Sequence, residues 1–174
     1  MLWYDTHSNY QGGTFLSIFY EFIQFVAPEG RDRLIEYNFK EVLFSCQSAF
    51  QHVLIVDTPD FGRLLLLDNY QNLAESDTEA YTHAIMNLPH EDFGGKEVLI
   101  LGGGDGGLLK ELMELERKPK FVTMVDIDEV VMDACTKLMP SIAGDYMARN
   151  KRDGENYKVI VGDAIKFLKE KLVR

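Results

Sequence analysis

A glycine-rich loop is the feature of this sequence whose residue types and spacing point most directly to chemistry. The segment Gly102–Gly107 has five glycines around one acidic residue, and Gly102, Gly104 and Gly107 fit the spacing G-x-G-x-x-G. Asp126 lies 22 residues beyond Gly104, after the next apolar run, where a carboxylate can accept hydrogen bonds from ribose hydroxyls. The pattern predicts a nucleotide site, and on this evidence an NAD-dependent oxidoreductase remains an open alternative.

The acidic residue inside the loop, Asp105, favours a cationic nucleoside over a dinucleotide. A diphosphate seated on the loop would lie near its carboxylate, and two like charges about 4 Å apart repel by roughly 4 kcal/mol at an effective dielectric of 20. A sulfonium or ammonium group turns that repulsion into attraction. Asp163 and Ala164 follow a later apolar run, where a carboxylate can accept a hydrogen bond from an adenine amino group. We therefore expect an adenosyl sulfonium ligand, with NAD as the weaker alternative.

Alternating strand and helix patterns place these residues on an α/β fold. Short apolar runs predict strands, and amphipathic stretches between them predict helices, in the order strand 98–101, helix 108–116, strand 121–125, helix 129–139, strand 157–161 and helix 164–172. Three strands are fewer than the five or six of the commonest doubly wound sheets. The predicted fold is a partial doubly wound parallel sheet of the Rossmann-like type found in S-adenosylmethionine-dependent methyltransferases.

The residues before this sheet predict a small β-hairpin region followed by a helix. Residues 34–68 look extended, with apolar runs on both sides of a turn near Pro59. The helix is predicted over 75–88, with Ser76 as its cap and Pro89 at its end. The chain divides into an unassigned segment, a hairpin region and an incomplete Rossmann-like domain, at 1–30, 31–70 and 71–174.

Several other polar or sulfur-containing residues are interpreted as structural. Asp128 stands where it would cap the helix that begins at residue 129. Cys135 and Met139 lie four residues apart on that helix and are typical of a core. His83 is interpreted as a surface residue, and His52 receives no role because no metal partner accompanies it.

Composition excludes some classes of protein. A net charge of −10 argues against a nucleic-acid partner, because phosphate neutralisation needs a basic surface. Two distant cysteines without metal-ligand spacing indicate reduced thiols and no metal site. The apolar run at 15–26 is shorter than the ~20 residues of a membrane span, and Glu21 interrupts it. We interpret it as a helix or a buried segment of a cytoplasmic protein with no membrane association.

The motifs resemble those of the polyamine aminopropyltransferases. The resemblance runs from about Arg33 to the C-terminus and is carried by residues 73–77, 80–82, 84–86, 99–107 and 122–128. Tyr81-Thr82-His83 stands where spermidine synthases typically have Tyr-Gln-Glu or Tyr-His-Glu, so the sequence is more similar to spermine synthases. Members of this family transfer an aminopropyl group from decarboxylated S-adenosylmethionine to a polyamine and release methylthioadenosine.

The resemblance implies a role for each matching residue. Decarboxylated S-adenosylmethionine would be a co-substrate, with no other cofactor and no metal, and the glycine loop, including Gly102 and Gly104, would receive it. Gln51 and Asp105 would contact the aminopropyl end of the donor or the reacting amine. Asp126 would bind the ribose, and Asp163 and Ala164 the adenine. Tyr81 and Asp105 would contact the polyamine. Asp126 replaces the usual glutamate and is one methylene shorter, which predicts weaker ribose binding.

The resemblance also implies a catalytic aspartate on a strand after the helix at 164–172, and the sequence ends at Arg174. We expect a fragment or truncated isoform with no catalytic residue of its own and little or no activity alone. In the intact enzyme spermidine is the favoured acceptor over putrescine, spermine is the product, and a homodimer is expected. The alternatives are an S-adenosylmethionine-dependent methyltransferase on the same fold, and a non-catalytic truncated isoform.

Overall fold

Six antiparallel strands precede the parallel part of the fold. The structure is a computed structural model, and it describes residues 21–26, 34–88 and 90–172. A two-stranded sheet is followed by a four-stranded sheet in which neighbours in sequence pair with each other. The strands are β1 (Glu21–Val26), β2 (Leu34–Phe39), β3 (Glu41–Gln47), β4 (His52–Thr58), β5 (Gly62–Leu67) and β6 (Tyr70–Ala74).

The predicted hairpin is the inner pair of the four-stranded sheet. β4 and β5 pair antiparallel from Val53 opposite Leu67 to Thr58 opposite Gly62, which confirms the predicted turn. Successive β4 side chains point to opposite faces of the sheet, and both faces are buried. One set, which includes Val53, packs with the core of the parallel sheet, and the other set packs with Phe39. β4 is therefore a wall shared by two hydrophobic cores.

The prediction of a helix or buried segment over 15–26 is wrong for the part that the structure describes. Glu21–Val26 is a strand, β1, that pairs antiparallel with β2. Aromatic and β-branched residues favour extended structure once a partner strand supplies the hydrogen bonds. Residues 15–20, and the boundary expected at 28–30, lie outside the described residues.

The helix predicted over 75–88 is shorter and is capped differently. α1 spans Thr78–Met86, and its N-cap residue is Asp77, not Ser76. No side chain caps this end, so the predicted Ser76 cap is wrong. The helix ends because Asn87 adopts a left-handed backbone with φ of 57°, a conformation that asparagine tolerates. Pro89, the expected terminator, lies outside the described residues.

The remaining chain forms the predicted partial parallel sheet. Its strands lie in the order β7-β8-β9 and alternate with helices. The elements are β7 (Glu97–Leu101), α2 (Gly107–Glu114), β8 (Phe121–Asp126), α3 (Glu129–Leu138), α4 (Pro140–Ala143), β9 (Tyr157–Val161) and α5 (Ala164–Leu172). Only α4 was not predicted, because four residues are too few to show a helical period. In the described ranges no helix has the length and apolar composition to cross a bilayer.

β8 is the central strand, and it sets the position of the loops that follow the sheet. Its apolar side chains at Val122, Met124 and Val125 are fully buried. Among the described strands β7 pairs only with β8, and Leu99 and Leu101 on β7 are 43% and 48% exposed. Because all three strands are parallel, their carboxyl ends lie at one edge and the loops after them meet there.

One partly buried arginine ties α3 to the segment after α4. Arg152 is 14% exposed and contacts Glu129 at 2.5 Å and Asp133 at 3.0 Å, both on α3. Its Nε also donates to the carbonyl of Met147 at 2.8 Å. The more exposed Arg149 contacts the same two carboxylates. This cluster fixes the helix that begins directly after Asp126 and its loop.

We expect Arg152→Ala to lower the free energy of unfolding by on the order of 2 kcal/mol, because it leaves partly buried carboxylates without their best partner. Urea unfolding followed by circular dichroism would measure the change. Arg149→Ala is the matched control, and its loss should be much smaller because that side chain is 67% exposed. Equal losses in the two variants would contradict this account of the cluster.

Candidate active site

The glycine loop is held against the end of β8 by Asp126. The Asp126 Oδ2 atom accepts the N–H of Gly104 at 2.8 Å, and its Oδ1 atom accepts the N–H of Asp128 at 2.8 Å. A Cβ atom at Gly104 would lie 2.9 Å from the Asp126 Cγ, so this close approach requires glycine. The glycine loop and the acid at the end of β8, which the sequence analysis singled out separately, are therefore joined by a direct hydrogen bond.

Asp105 lies within the same loop and has a shifted pKa. Its Oδ1 atom accepts the N–H of Gly107 at 2.8 Å, at the start of α2. Burial raises the pKa of Asp105 above its ordinary value of 3.8 by disfavouring the charged carboxylate, and the charge of Asp126 raises it further. Hydrogen bonds from the backbone of Gly107 and of Asp105 itself partly offset this rise in the pKa. A cation bound beside Asp105 would relieve both destabilising effects.

Asp163 and Ala164 lie at the end of β9, on the same edge of the sheet. Asp163 is exposed, and its Oδ1 atom accepts the N–H groups of Ile165 at 2.7 Å and Lys166 at 3.2 Å. It therefore caps α5, a role that the sequence analysis did not assign. The N–H of Gly162 donates to the Asp126 carbonyl at 2.8 Å, which ties this loop to the end of β8. The carboxylate oxygen that does not cap the helix remains available to a ligand.

Gln51 comes to this edge from the turn between β3 and β4. Its side-chain Nε2 donates to Asp128 Oδ2 at 3.0 Å, and Ser48 Oγ donates to the same oxygen at 2.7 Å. Gln51 and Asp128 are 77 residues apart in sequence. Sequence reasoning missed Ser48 and this second role of Asp128, because nothing in the local pattern shows which distant turn packs on a helix cap.

The structure brings some of the predicted site residues into contact and leaves others apart. Hydrogen bonds connect the glycine loop, Asp126, Asp128 and Gln51, as described above. Tyr81, on α1, is 49% exposed and forms no side-chain hydrogen bond within the described residues. Asp163 likewise bonds only to the first turn of α5 in that part of the chain. The positions of Tyr81 and Asp163 leave both side chains accessible to a ligand.

Three structural interpretations of single residues are confirmed. Asp128 caps α3, since its Oδ1 atom accepts the N–H of Val130 at 3.0 Å. Cys135 and Met139 are fully buried in the main core. Burial also raises the pKa of the Cys135 thiol, which disfavours the reactive thiolate.

A concavity lies between α1, α2 and α4, and Gly107 at the end of the glycine loop is part of its lining. It encloses about 390 Å³ and is rich in acidic groups, with Glu75, Glu79, Glu111 and Glu114 in its lining. His83, interpreted from sequence as a surface residue, is half-buried here and contacts Glu111 at 2.9 Å. Among the residues that the structure describes, no group of three His, Cys, Asp or Glu side chains could hold a metal ion.

Comparison with known protein families identifies the family of the chain. A family model described as the spermine/spermidine synthase domain matches residues 78–173, which is more than half of the chain. The chain belongs to this family. A second family model, described as the spermidine synthase tetramerisation domain, matches residues 22–75. The match therefore begins before Arg33, where the sequence resemblance was first placed.

Curated relatives agree with this assignment. A polyamine aminopropyltransferase of Methanocaldococcus jannaschii is 35% identical over 75% of this chain and 43% of its own length. One from Alkaliphilus metalliredigens is 38% identical over 79% of this chain and 46% of its own length. A spermine synthase of Arabidopsis thaliana is 33% identical over 75% of this chain and 35% of its own length. This chain therefore spans about half, or less, of these relatives.

Solved structures confirm the fold. The crystal structure of spermidine synthase from Thermotoga maritima matches with a TM-score of 0.69 and 23% identity, over 80% of this chain and 48% of that one. A spermidine synthase in complex with the transition-state analogue AdoDATO also gives a TM-score of 0.69, over 80% of this chain and 46% of that one. The predicted α/β class with a Rossmann-like parallel sheet is confirmed.

The raised pKa of Asp105 predicts a specific pH dependence of stability in this spermine/spermidine synthase family member. Between pH 3.8 and the higher pKa of the folded state, the unfolded chain gives up this proton first. The free energy of unfolding therefore falls as the pH rises through that interval.

Asp105→Asn keeps an oxygen for the Gly107 N–H and removes the titration. We expect the variant to melt at a higher temperature than the wild type at pH 7, with the difference shrinking toward pH 4. Thermal unfolding followed by circular dichroism between pH 4 and pH 8 would measure both midpoints. A variant less stable than the wild type at pH 7 would contradict the charge penalty at Asp105.

Proposed function

We propose that this chain carries the donor-binding part of a spermine synthase-like aminopropyltransferase. The reaction is transfer of an aminopropyl group from decarboxylated S-adenosylmethionine to a polyamine, with spermidine favoured, to give spermine and methylthioadenosine. The observation that carries the proposal is a half-buried carboxylate, Asp105, on a nucleotide-type glycine loop beside a second carboxylate, Asp126. Two negative groups at this position favour a nucleoside that is a cation.

Electrostatics supports an adenosyl sulfonium and disfavours NAD. The anionic form of Asp105 is already disfavoured by burial and by its neighbour, so a diphosphate would add a third repulsion. A sulfonium with a primary ammonium, as in decarboxylated S-adenosylmethionine, adds attraction instead. The acceptor is also a polycation, and the chain's net charge of −10 favours its approach.

We carry the residue roles over from the family resemblance, and the hydrogen bonds that join Gln51, Asp126 and Asp128 at the sheet edge support them. We assign Asp126 to the ribose hydroxyls, although its oxygens already hold backbone N–H groups that a ribose would have to share. Asp163 and Ala164 receive the adenine edge, and the loop at Gly102 and Gly104 lies beneath the nucleoside. Gln51 and Asp105 face the aminopropyl end or the reacting amine, and Tyr81 contacts the polyamine.

The chemistry in the intact enzyme is a displacement at the carbon next to sulfur. The acceptor nitrogen forms a new bond to that carbon, the carbon–sulfur bond breaks, and its electron pair stays on the sulfur of methylthioadenosine. Positioning two cations in an acidic site lowers the barrier, and the attacking amine must lose a proton before it is a nucleophile. We assign no residue of this chain to that proton transfer.

Partners and location complete the proposal. Self-association, at least as a homodimer, is supported by the match of residues 22–75 to a domain described by its role in tetramerisation. We propose a cytoplasmic protein that acts on small molecules and uses neither nucleic acid nor a membrane. Spermidine as acceptor is supported by the sequence around Tyr81 and by the relative named spermine synthase, while other relatives have the general name polyamine aminopropyltransferase.

Calorimetric titration of the folded chain with methylthioadenosine tests the donor site. We expect saturable binding that weakens about tenfold in Asp163→Asn, because the adenine amino group loses an acceptor while an oxygen remains to cap α5. Asp163→Ala should weaken binding at least as much. Asp153→Asn, which changes an exposed carboxylate paired with Lys158, is the control and should bind like the wild type. A folded chain that binds S-adenosylmethionine but neither methylthioadenosine nor the decarboxylated donor would favour a methyltransferase instead.

The sulfonium preference has its own test. Asp105→Asn should lower the affinity for decarboxylated S-adenosylmethionine by at least about tenfold more than it lowers the affinity for methylthioadenosine, which carries no positive charge. Competition titration with the two ligands measures this ratio directly. An equal loss for both ligands would show that Asp105 does not recognise the charge.

A further inference from the structure

Asp128 has more contacts than a helix cap requires. It is 1% exposed and is the one charged side chain among the fully buried residues in the described part of the chain. Its Oδ1 atom caps α3, whereas its Oδ2 atom accepts from both Ser48 and Gln51, which belong to a different sheet region. Its own N–H donates to Asp126. Capping explains the first of these contacts and leaves the others to be explained.

The turn that presents Gln51 is fixed by Ser48. The Ser48 hydroxyl accepts the N–H groups of Phe50 at 3.1 Å and Gln51 at 3.0 Å while it lies 2.7 Å from Asp128 Oδ2. The backbone at Gln51 is thus held by the turn, and its side-chain nitrogen is held by Asp128. Gln51 is half-buried, so few other positions are open to its amide.

The chemistry of Asp128 determines which way the Gln51 amide points. A carboxylate only accepts hydrogen bonds, so Gln51 must present its NH₂ group to Asp128. The flipped amide would place a carbonyl oxygen against the carboxylate and lose a charge-assisted hydrogen bond. With Nε2 held in this way, Oε1 has no donor among the described residues. Gln51 is therefore fixed as a hydrogen-bond acceptor.

We propose that Asp128 is a positioning residue that orients Gln51, so that Gln51 Oε1 accepts a hydrogen bond from the bound nucleoside. This inference rests on the proposed function and deepens it. The group on the ligand is an O–H or N–H donor, which is either a ribose hydroxyl or the aminopropyl ammonium. Asp128 does not touch the ligand. Because its N–H also holds Asp126, one buried residue sets the orientation of two ligand-binding side chains.

A reciprocal exchange of amide and carboxylate tests the orientation. In Asp128→Asn, an oxygen still caps α3, but the new NH₂ group faces Gln51 and turns the glutamine NH₂ toward the ligand. We expect the affinity for decarboxylated S-adenosylmethionine to fall about tenfold. Gln51→Glu alone should also lose affinity, because it places two carboxylates about 3 Å apart. The double variant restores a donor against an acceptor and should bind within about threefold of the wild type.

The rescue separates positioning from simple helix capping. If Asp128 only stabilised α3, adding Gln51→Glu would not restore the ligand affinity lost in Asp128→Asn. A folded double variant that binds the ligand as weakly as the single variants would therefore overturn the proposal. Wild-type affinity in Asp128→Asn would also overturn it. A loss confined to the decarboxylated donor identifies the ammonium as the partner of Gln51, and an equal loss for methylthioadenosine identifies a ribose hydroxyl.

If the glutamate variant does not fold, the test compares Gln51→Met alone with Gln51→Met combined with Asp128→Asn. Methionine has a similar length and no amide, so adding Asp128→Asn to it should change ligand affinity by less than about twofold, since Asp128 acts through Gln51. A further tenfold loss would overturn the inference. If the wild-type chain, shown to be folded, binds neither nucleoside, the proposed function itself fails. If it binds both and is indifferent to these variants, only the role of Asp128 fails.

Discussion

The hydrogen bonds that the Asp126 carboxylate accepts from two backbone N–H groups are the interaction on which the rest of the site depends. One oxygen holds the glycine loop and the other holds the residue that caps α3. The loops after β7 and β8 are therefore fixed relative to one carboxylate, and Asp128 in turn binds the turn between β3 and β4. Aspartate suits this position because its short side chain lies directly against Gly104. The group that we propose for ribose binding is thus also a structural group, and a ligand there would have to share hydrogen bonds that the loop already uses.

A second constraint is the cost of keeping acidic groups close together. Asp105 would be more stable as a neutral side chain, since burial and the charge of Asp126 both disfavour its anion. Such local destabilisation is common where a protein must bind a charge that it does not itself contain. Away from the site, the same acidic composition is balanced by ion pairs such as those of Arg152. Arginine side chains therefore neutralise the carboxylates on α3, whereas the carboxylates at the glycine loop keep their mutual repulsion.

The sequence predicted the parallel sheet well because each strand is a short apolar run after a clear breaker, and because helical patterns separate the strands. It also placed the glycine loop after β7 and Asp126 at the end of β8, since strand, loop and helix fix those positions locally, but it did not predict the hydrogen bond between them. The four-stranded sheet was predicted only as a hairpin, because its outer strands β3 and β6 are largely exposed and lack the continuous buried apolar run that marks β4 and β5. The link between Asp128 and Gln51 depends on packing between segments 77 residues apart, which no local pattern encodes.

The exposed side of β7 has a consequence for how this chain behaves in solution. Among the described strands β7 pairs only with β8, and such an edge strand, with exposed apolar side chains at Leu99 and Leu101, can serve as a template for a strand from another copy. Mutual repulsion between chains with a net charge of −10 opposes that encounter. Salt screens this repulsion, because the Debye length falls to about 10 Å at 0.1 M. Raising the ionic strength should therefore promote aggregation of this chain, and dilute, low-salt buffer should keep it monodisperse.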